Sequence, residues 1–176
     1  MRTISHVERF PFYCVLGSGF HILLAMNKES VALFLTMATS VCTNALLKLL
    51  VNRPRRYKCK SNTLIGGGKI EKKLNTLGMP SGHTHVAATF AFFVCFLLMN
   101  KTARLQSDTP VFSKRTLYKI VMLSLLCAVY LVGRQRIRSR CHVISEVAAG
   151  ACSGAVNAML GFLLYSKYIK QSHGCV

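Results

Sequence analysis

Four stretches of this chain, Ser30–Val51, Ser81–Asn100, Ile120–Gly133 and Val147–Ser166, run almost without charge, and Lys48 alone interrupts them. Most approach the roughly 20 helical residues that cross about 30 Å of hydrocarbon. Helices of a soluble bundle would show a polar face at helical period, and these windows show few polar residues. Charged residues make up only 16% of the 176-residue chain and fall between the windows, which favours membrane spans over a soluble core. A fifth window, Phe10–Met26, contains Pro11, Gly17, Gly19 and His21. Its end, Ala25-Met26-Asn27, is a poor cleavage site, so a retained helix is expected there rather than a signal peptide. The expected architecture is all-α: one integral-membrane domain over residues 1–176, a polytopic bundle of about five transmembrane helices.

Lys and Arg outnumber Asp and Glu by 23 to 5. In a soluble chain that balance would suggest nucleic acid, but the basic loops lack the interleaved aromatics that single-strand binding uses. Between membrane spans the same charge suits anionic lipid headgroups, at about 1 kcal/mol per juxtamembrane cation. The eight cysteines form no C-x-x-C pair and read as small core residues, although the placement of Cys59 and Cys141 permits a disulfide. Acidic ligands are scarce, so neither a metal site nor a cofactor is indicated. The loop 52–79 is rich in Lys and Arg around Gly66-Gly67-Gly68 and is expected to be mobile and solvated. It is not a phosphate-binding P-loop, because Ile70 follows Lys69 and no strand precedes it.

Alternating the spans places the N-terminus, the 52–79 loop and the Arg134–Cys141 loop on one side of the membrane, side A. Three segments meet there. In the first, Lys48 and Arg55 lie seven residues apart with Pro54 between them, so Arg55 is expected on the turn beyond the helix. Alone, the segment could simply greet lipid headgroups. In the second, Pro80-Ser81-Gly82-His83 opens an uncharged helix. Its first backbone N–H groups, those of Ser81, Gly82 and His83, would form an anion site, and Gly82 leaves room for a close approach. His83 there is either a proton donor or a water-bonded helix-start histidine. In the third, Arg134, Arg136, Arg138 and Arg140 alternate, so an extended loop would point them one way. His142 and Glu146 follow four apart, hence on one helical face. A carboxylate on one imidazole nitrogen frees the other to attack, although a structural His–Glu pair has the same spacing.

Taken together in this order, the three segments resemble the type 2 phosphatidic acid phosphatase family, across roughly residues 48–150. Lys48 and Arg55 fit its first motif, Pro80–His83 its second, and Arg136, His142 and Glu146 its third. Arg56 stands where the family has Pro, Gln135 where it has Ser, and Glu146 where it has Asp. The resemblance implies a metal-independent phosphatase acting on a lipid phosphomonoester or diphosphate through a phosphohistidine. His142 would be the nucleophile, His83 the proton donor and Glu146 the residue that orients His142. Lys48, Arg55, Arg136, Ser81 and Gly82 would hold the phosphate. Its partner is then a membrane lipid phosphate, in an ER-like endomembrane or the plasma membrane. The three departures keep a second expectation open, a weak or inactive pseudophosphatase that binds phospholipid or a partner. The longer arm of Glu146 predicts slower turnover, and a gain on substituting Asp. The positive-inside rule turns side A to the cytoplasm, whereas the resemblance implies the lumen or exterior.

Overall fold

The computed structural model describes residues 27–55, 76–104 and 111–173, with Gly17 and Leu74. They form four helices: α1 (Lys28–Val51), α2 (Gly82–Arg104), α3 (Val111–Arg138) and α4 (Ile144–His173). All four are long and apolar enough to cross a membrane. The described residues thus hold four such helices rather than about five, because the Phe10–Met26 window lies outside them apart from Gly17. The expected mobile loop also lies outside them over residues 56–73.

One helix departs well beyond its expected bounds, for a physical reason. The window Ile120–Gly133 marks only the uncharged part of α3, which runs from Val111 to Arg138. Lys and Arg are good helix formers, and Arg136 and Arg138 in the last turn oppose the negative end of the helix dipole. Arg134–Cys141 is therefore not an extended loop. The helix stops where Arg140 takes a left-handed φ of 52°. The Cys141 N–H then donates to the Arg136 carbonyl and the Arg140 N–H to that of Ile137, a Schellman closure.

The bundle buries many polar side chains beside apolar ones such as Met37 and Phe93, and turns large apolar side chains outward. On α1 the buried residues are Ser30, Thr36, Met37, Ser40, Asn44 and Lys48, spaced as one helical face. Leu35, Leu46, Leu50, Leu123, Tyr130 and Leu164 point outward, more than 45% exposed each, as lipid-facing side chains do. Cysteines follow the same division. Cys95 is buried, but Cys42, Cys127 and Cys152 are exposed, which corrects the expectation that they fill the core. Cys141 is disulfide-bonded; Cys59 lies outside the described residues.

α2 is the central helix and packs against the other three, most extensively against α4. Glycines set that approach. A Cβ on Gly150 would sit 2.6 Å from the Ser81 carbonyl oxygen, and one on Gly154 would collide with the His85 carbonyl. Gly150 and Gly154 are one turn apart, the small-xxx-small spacing that lets membrane helices touch backbone to backbone. Buried hydroxyls bridge the contact: Thr89 donates to the carbonyls of His85 and Gly154 and pairs with Ser40 of α1 at 3.0 Å. This packing brings the C-terminal ends of α1 and α3 and the N-terminal ends of α2 and α4 to one mouth of the bundle.

Candidate active site

At that mouth α1 ends on Asn52, left-handed at φ 45°, whose N–H caps the Lys48 carbonyl. The chain turns at Pro54 and runs antiparallel to Leu77. The Arg55 N–H donates to Thr76 O, the Gly78 N–H to Arg53 O, and Arg55 Nε to Leu77 O at 3.1 Å. This short bridge ties the first segment to the second and fixes Arg55 beside the start of α2. Arg55 lies beyond the helix, as Pro54 requires.

Ser81 precedes α2, and its hydroxyl pairs with that of Thr84 at 3.1 Å, in the manner of a helix cap. Its N–H donates to the Glu146 carbonyl. That corrects the expectation that the Ser81 N–H awaits an anion: it fastens α2 to α4 instead. The Gly82 position faces the cations. A Cβ there would lie 3.9 Å from Lys48 Nζ and 3.0 Å from Asn44 Oδ1.

α4 begins at Ile144, so His142 precedes the helix and does not share a helical face with Glu146. They meet because Glu146, in the first turn, reaches back. Its Oε2 accepts from the Val143 N–H at 3.3 Å and contacts His142 Nδ1 at 2.9 Å. The backbone contact is half of a capping box, for which a glutamate arm has the right length. Since a carboxylate only accepts, Nδ1 carries the proton and the Nε2 lone pair is left free.

The side chains of Lys48, Arg136, His142 and Glu146 are each at least 90% buried, an unusual depth for charged groups. Burial pushes the His142 imidazole down to about 3, and the charges of Arg55, Arg136 and Lys48 push the same way, against the Gly78 backbone. The shift favours the neutral imidazole, whose Nδ1–H then donates to Glu146 Oε2. Burial also lowers Arg55, while Glu146 raises it. The charges of Arg136, Lys48 and Arg55 reach His83, as does His142. All eight predicted site residues thus lie at one mouth. Of the backbone N–H groups expected to face an anion, that of Ser81 is committed to the Glu146 carbonyl.

Two positions were absent from the sequence expectation. Asn44 lies one turn from Lys48 on the buried face of α1, and that spacing was a usable signal. Gly78 sits so close to Glu146 that a Cβ would come within 2.7 Å of Oε1; nothing in the sequence marks it. Among the described residues, no three His, Cys, Asp or Glu side chains gather as metal ligands. A groove of about 450 Å³ between α1 and α4, bordered by Lys28, Leu35, Thr39, Gly161 and Tyr168, belongs to the opposite half of the bundle.

The model of the PAP2 superfamily matches residues 29–170. Dolichyldiphosphatase 1 of Dictyostelium discoideum is 25% identical over 164 residues, which cover 92% of this chain and 62% of that protein. The chain therefore spans less than two thirds of that relative's length. No solved structure matches significantly.

Proposed function

The chain belongs to the PAP2 superfamily, and from that premise we propose that it is a metal-independent lipid phosphate phosphatase with His142 as nucleophile. A lipid diphosphate is the favoured substrate, since the chain is similar over 92% of its own residues to a dolichyldiphosphatase. The observation that carries the proposal is the buried His142–Glu146 contact at 2.9 Å, facing the charges of Lys48, Arg55 and Arg136.

His142 Nε2 attacks phosphorus while the bond to the lipid-side oxygen breaks, and His83 gives its proton to that oxygen. The phosphate's negative charge supplies what His83 needs to hold a proton among so many cations. Water, deprotonated by His83, then attacks the phosphohistidine and frees inorganic phosphate and neutral His142. Phosphoryl transfer asks chiefly for positioning and for positive charge around the equatorial oxygens. Lys48, Arg55, Arg136 and the Gly82 N–H at the start of α2 answer both demands.

Purified protein in EDTA, offered a polyprenyl diphosphate, phosphatidate and lysophosphatidate, is expected to release phosphate. His142→Ala is expected to lose nearly all turnover while still binding lipid. Equal release by His142→Ala refutes the mechanism, and lipid binding without release by the parent identifies a binding protein instead.

A further inference from the structure

Asn44 is buried at 7% exposure, and its Nδ2 has no hydrogen-bond partner among the described residues. A buried amide donor left unmet is costly, so a partner is expected in the working state. The side chain sits against the Gly82 backbone, with its Oδ1 3.0 Å and Lys48 Nζ 3.9 Å from the place a Gly82 Cβ would take. An oxygen bound by Lys48 and the Gly82 N–H would lie within reach of the Asn44 carboxamide. We propose that Asn44 is a further substrate-binding residue, donating its Nδ2 hydrogen to a phosphoryl oxygen on the membrane-facing floor of the site.

The residue type fits that task. Asp at this position would neutralise Lys48 and repel the phosphate, and Leu would fill the volume with no donor. An amide adds a directional donor without adding charge to a site that already holds three cations. One turn further along the same face, Ser40 is bonded to Thr89 at 3.0 Å, so the polar face of α1 is otherwise satisfied there. Among the described residues, Asn44 Nδ2 is the buried side-chain donor on that face left unmet.

The inference rests on the proposed phosphate site, and direct binding of inorganic phosphate tests it without requiring turnover. Calorimetry on detergent-solubilised parent, Asn44→Leu, Asn44→Ala and Ser40→Ala is paired with thermal unfolding of each. Losing one hydrogen bond to a charged oxygen is expected to weaken phosphate binding about tenfold or more in both Asn44 variants. Asn44→Leu is expected to unfold no earlier than the parent, because an unmet polar group is replaced by apolar volume. Affinity and stability would then move in opposite directions, which a merely structural residue does not produce. Should the leucine variant fail to fold, the alanine variant carries the same comparison. Phosphate affinity within twofold of the parent in the folded Asn44 variants overturns the inference. So does an equal loss in Ser40→Ala, which would place the effect in general packing. If the parent hydrolyses lipid phosphate in those cases, the proposed function stands and only the role of Asn44 fails. A parent that neither binds nor releases phosphate overturns both.

Discussion

Substituting Glu146 by Asp restores the family's residue, and from sequence alone it should speed turnover. The structure reverses the sign. Glu146 Oε2 meets His142 Nδ1 at 2.9 Å and the Val143 N–H at 3.3 Å, both made by an arm reaching back from the first turn of α4. Removing one methylene withdraws the carboxylate by roughly 1.5 Å. The Nδ1 contact would open beyond the 3.2 Å or so of an ordinary N–H···O bond. A hydrogen bond to a charged group is worth about 1.5–3 kcal/mol, so if it orients the nucleophile its loss slows the chemical step roughly 10- to 100-fold. Single-turnover release of phosphate in EDTA measures this step apart from product release. Glu146→Gln, which keeps the reach but not the charge, is expected to fall between parent and Asp. A Glu146→Asp enzyme as fast as the parent would show that His142 is aligned by something other than this contact.

The acid limb of kcat/KM, corrected for the substrate's own ionisation, is expected well below the ordinary imidazole value of 6.5, because His142 is pushed to about 3; a limb at 6.5 refutes a buried neutral nucleophile. For the same group, the unfolded chain binds a proton between pH 6.5 and 3 that the folded chain does not, so stability is full above 6.5 and falls as pH drops through that window. The slope is about 1.4 kcal/mol per pH unit at most, read by denaturant unfolding in detergent. Gly150→Leu places side-chain atoms against the Ser81 carbonyl and should lower thermal stability by the equivalent of about 1–3 kcal/mol, and an unchanged melting temperature would mean α2 and α4 are not in backbone contact. Gly78→Ala brings a methyl to 2.7 Å from Glu146 Oε1 and 3.3 Å from the Arg55 Cα, so kcat should drop with little change in unfolding; full activity would mean the carboxylate has room to move.

Element existence was legible because charge and hydropathy act over a whole helix. Ser30–Val51, Ser81–Asn100 and Val147–Ser166 each mark the apolar body of an observed helix. Boundaries were less legible where charged residues are themselves helical. Arg134–Arg138 extends α3 because a Schellman closure at Arg140, unreadable from a non-glycine residue, sets the end later. The site residues were legible as a set because three spaced motifs had to meet at one mouth. Their local geometry was not. The spacing of His142 and Glu146 suggested one helical face, yet the contact forms because α4 starts between them. Ser81 looked like an anion donor, but which backbone group its N–H meets depends on α4, whose close approach follows from Gly150.

One arrangement of charge explains both binding and attack. The N-terminal ends of α2 and α4 carry partial positive charge into a mouth that already holds Lys48, Arg55 and Arg136. Glu146 is the one carboxylate there among the described residues, and it is turned toward His142 and the Val143 N–H. A site where three cations face one carboxylate favours an anion, and the same field adds to burial in disfavouring a proton on His142. An imidazole that had to lose a proton before attacking would depend on a base; in the proposed mechanism this one is ready because burial, and after it the neighbouring cations, disfavour the proton. Glu146 then need not extract a proton. In the proposed mechanism its task is to hold the Nδ1–H so that Nε2 faces the phosphate. That division of labour, with burial and cations setting the charge state and the carboxylate setting the tautomer, is what the proposed nucleophilic role of His142 requires.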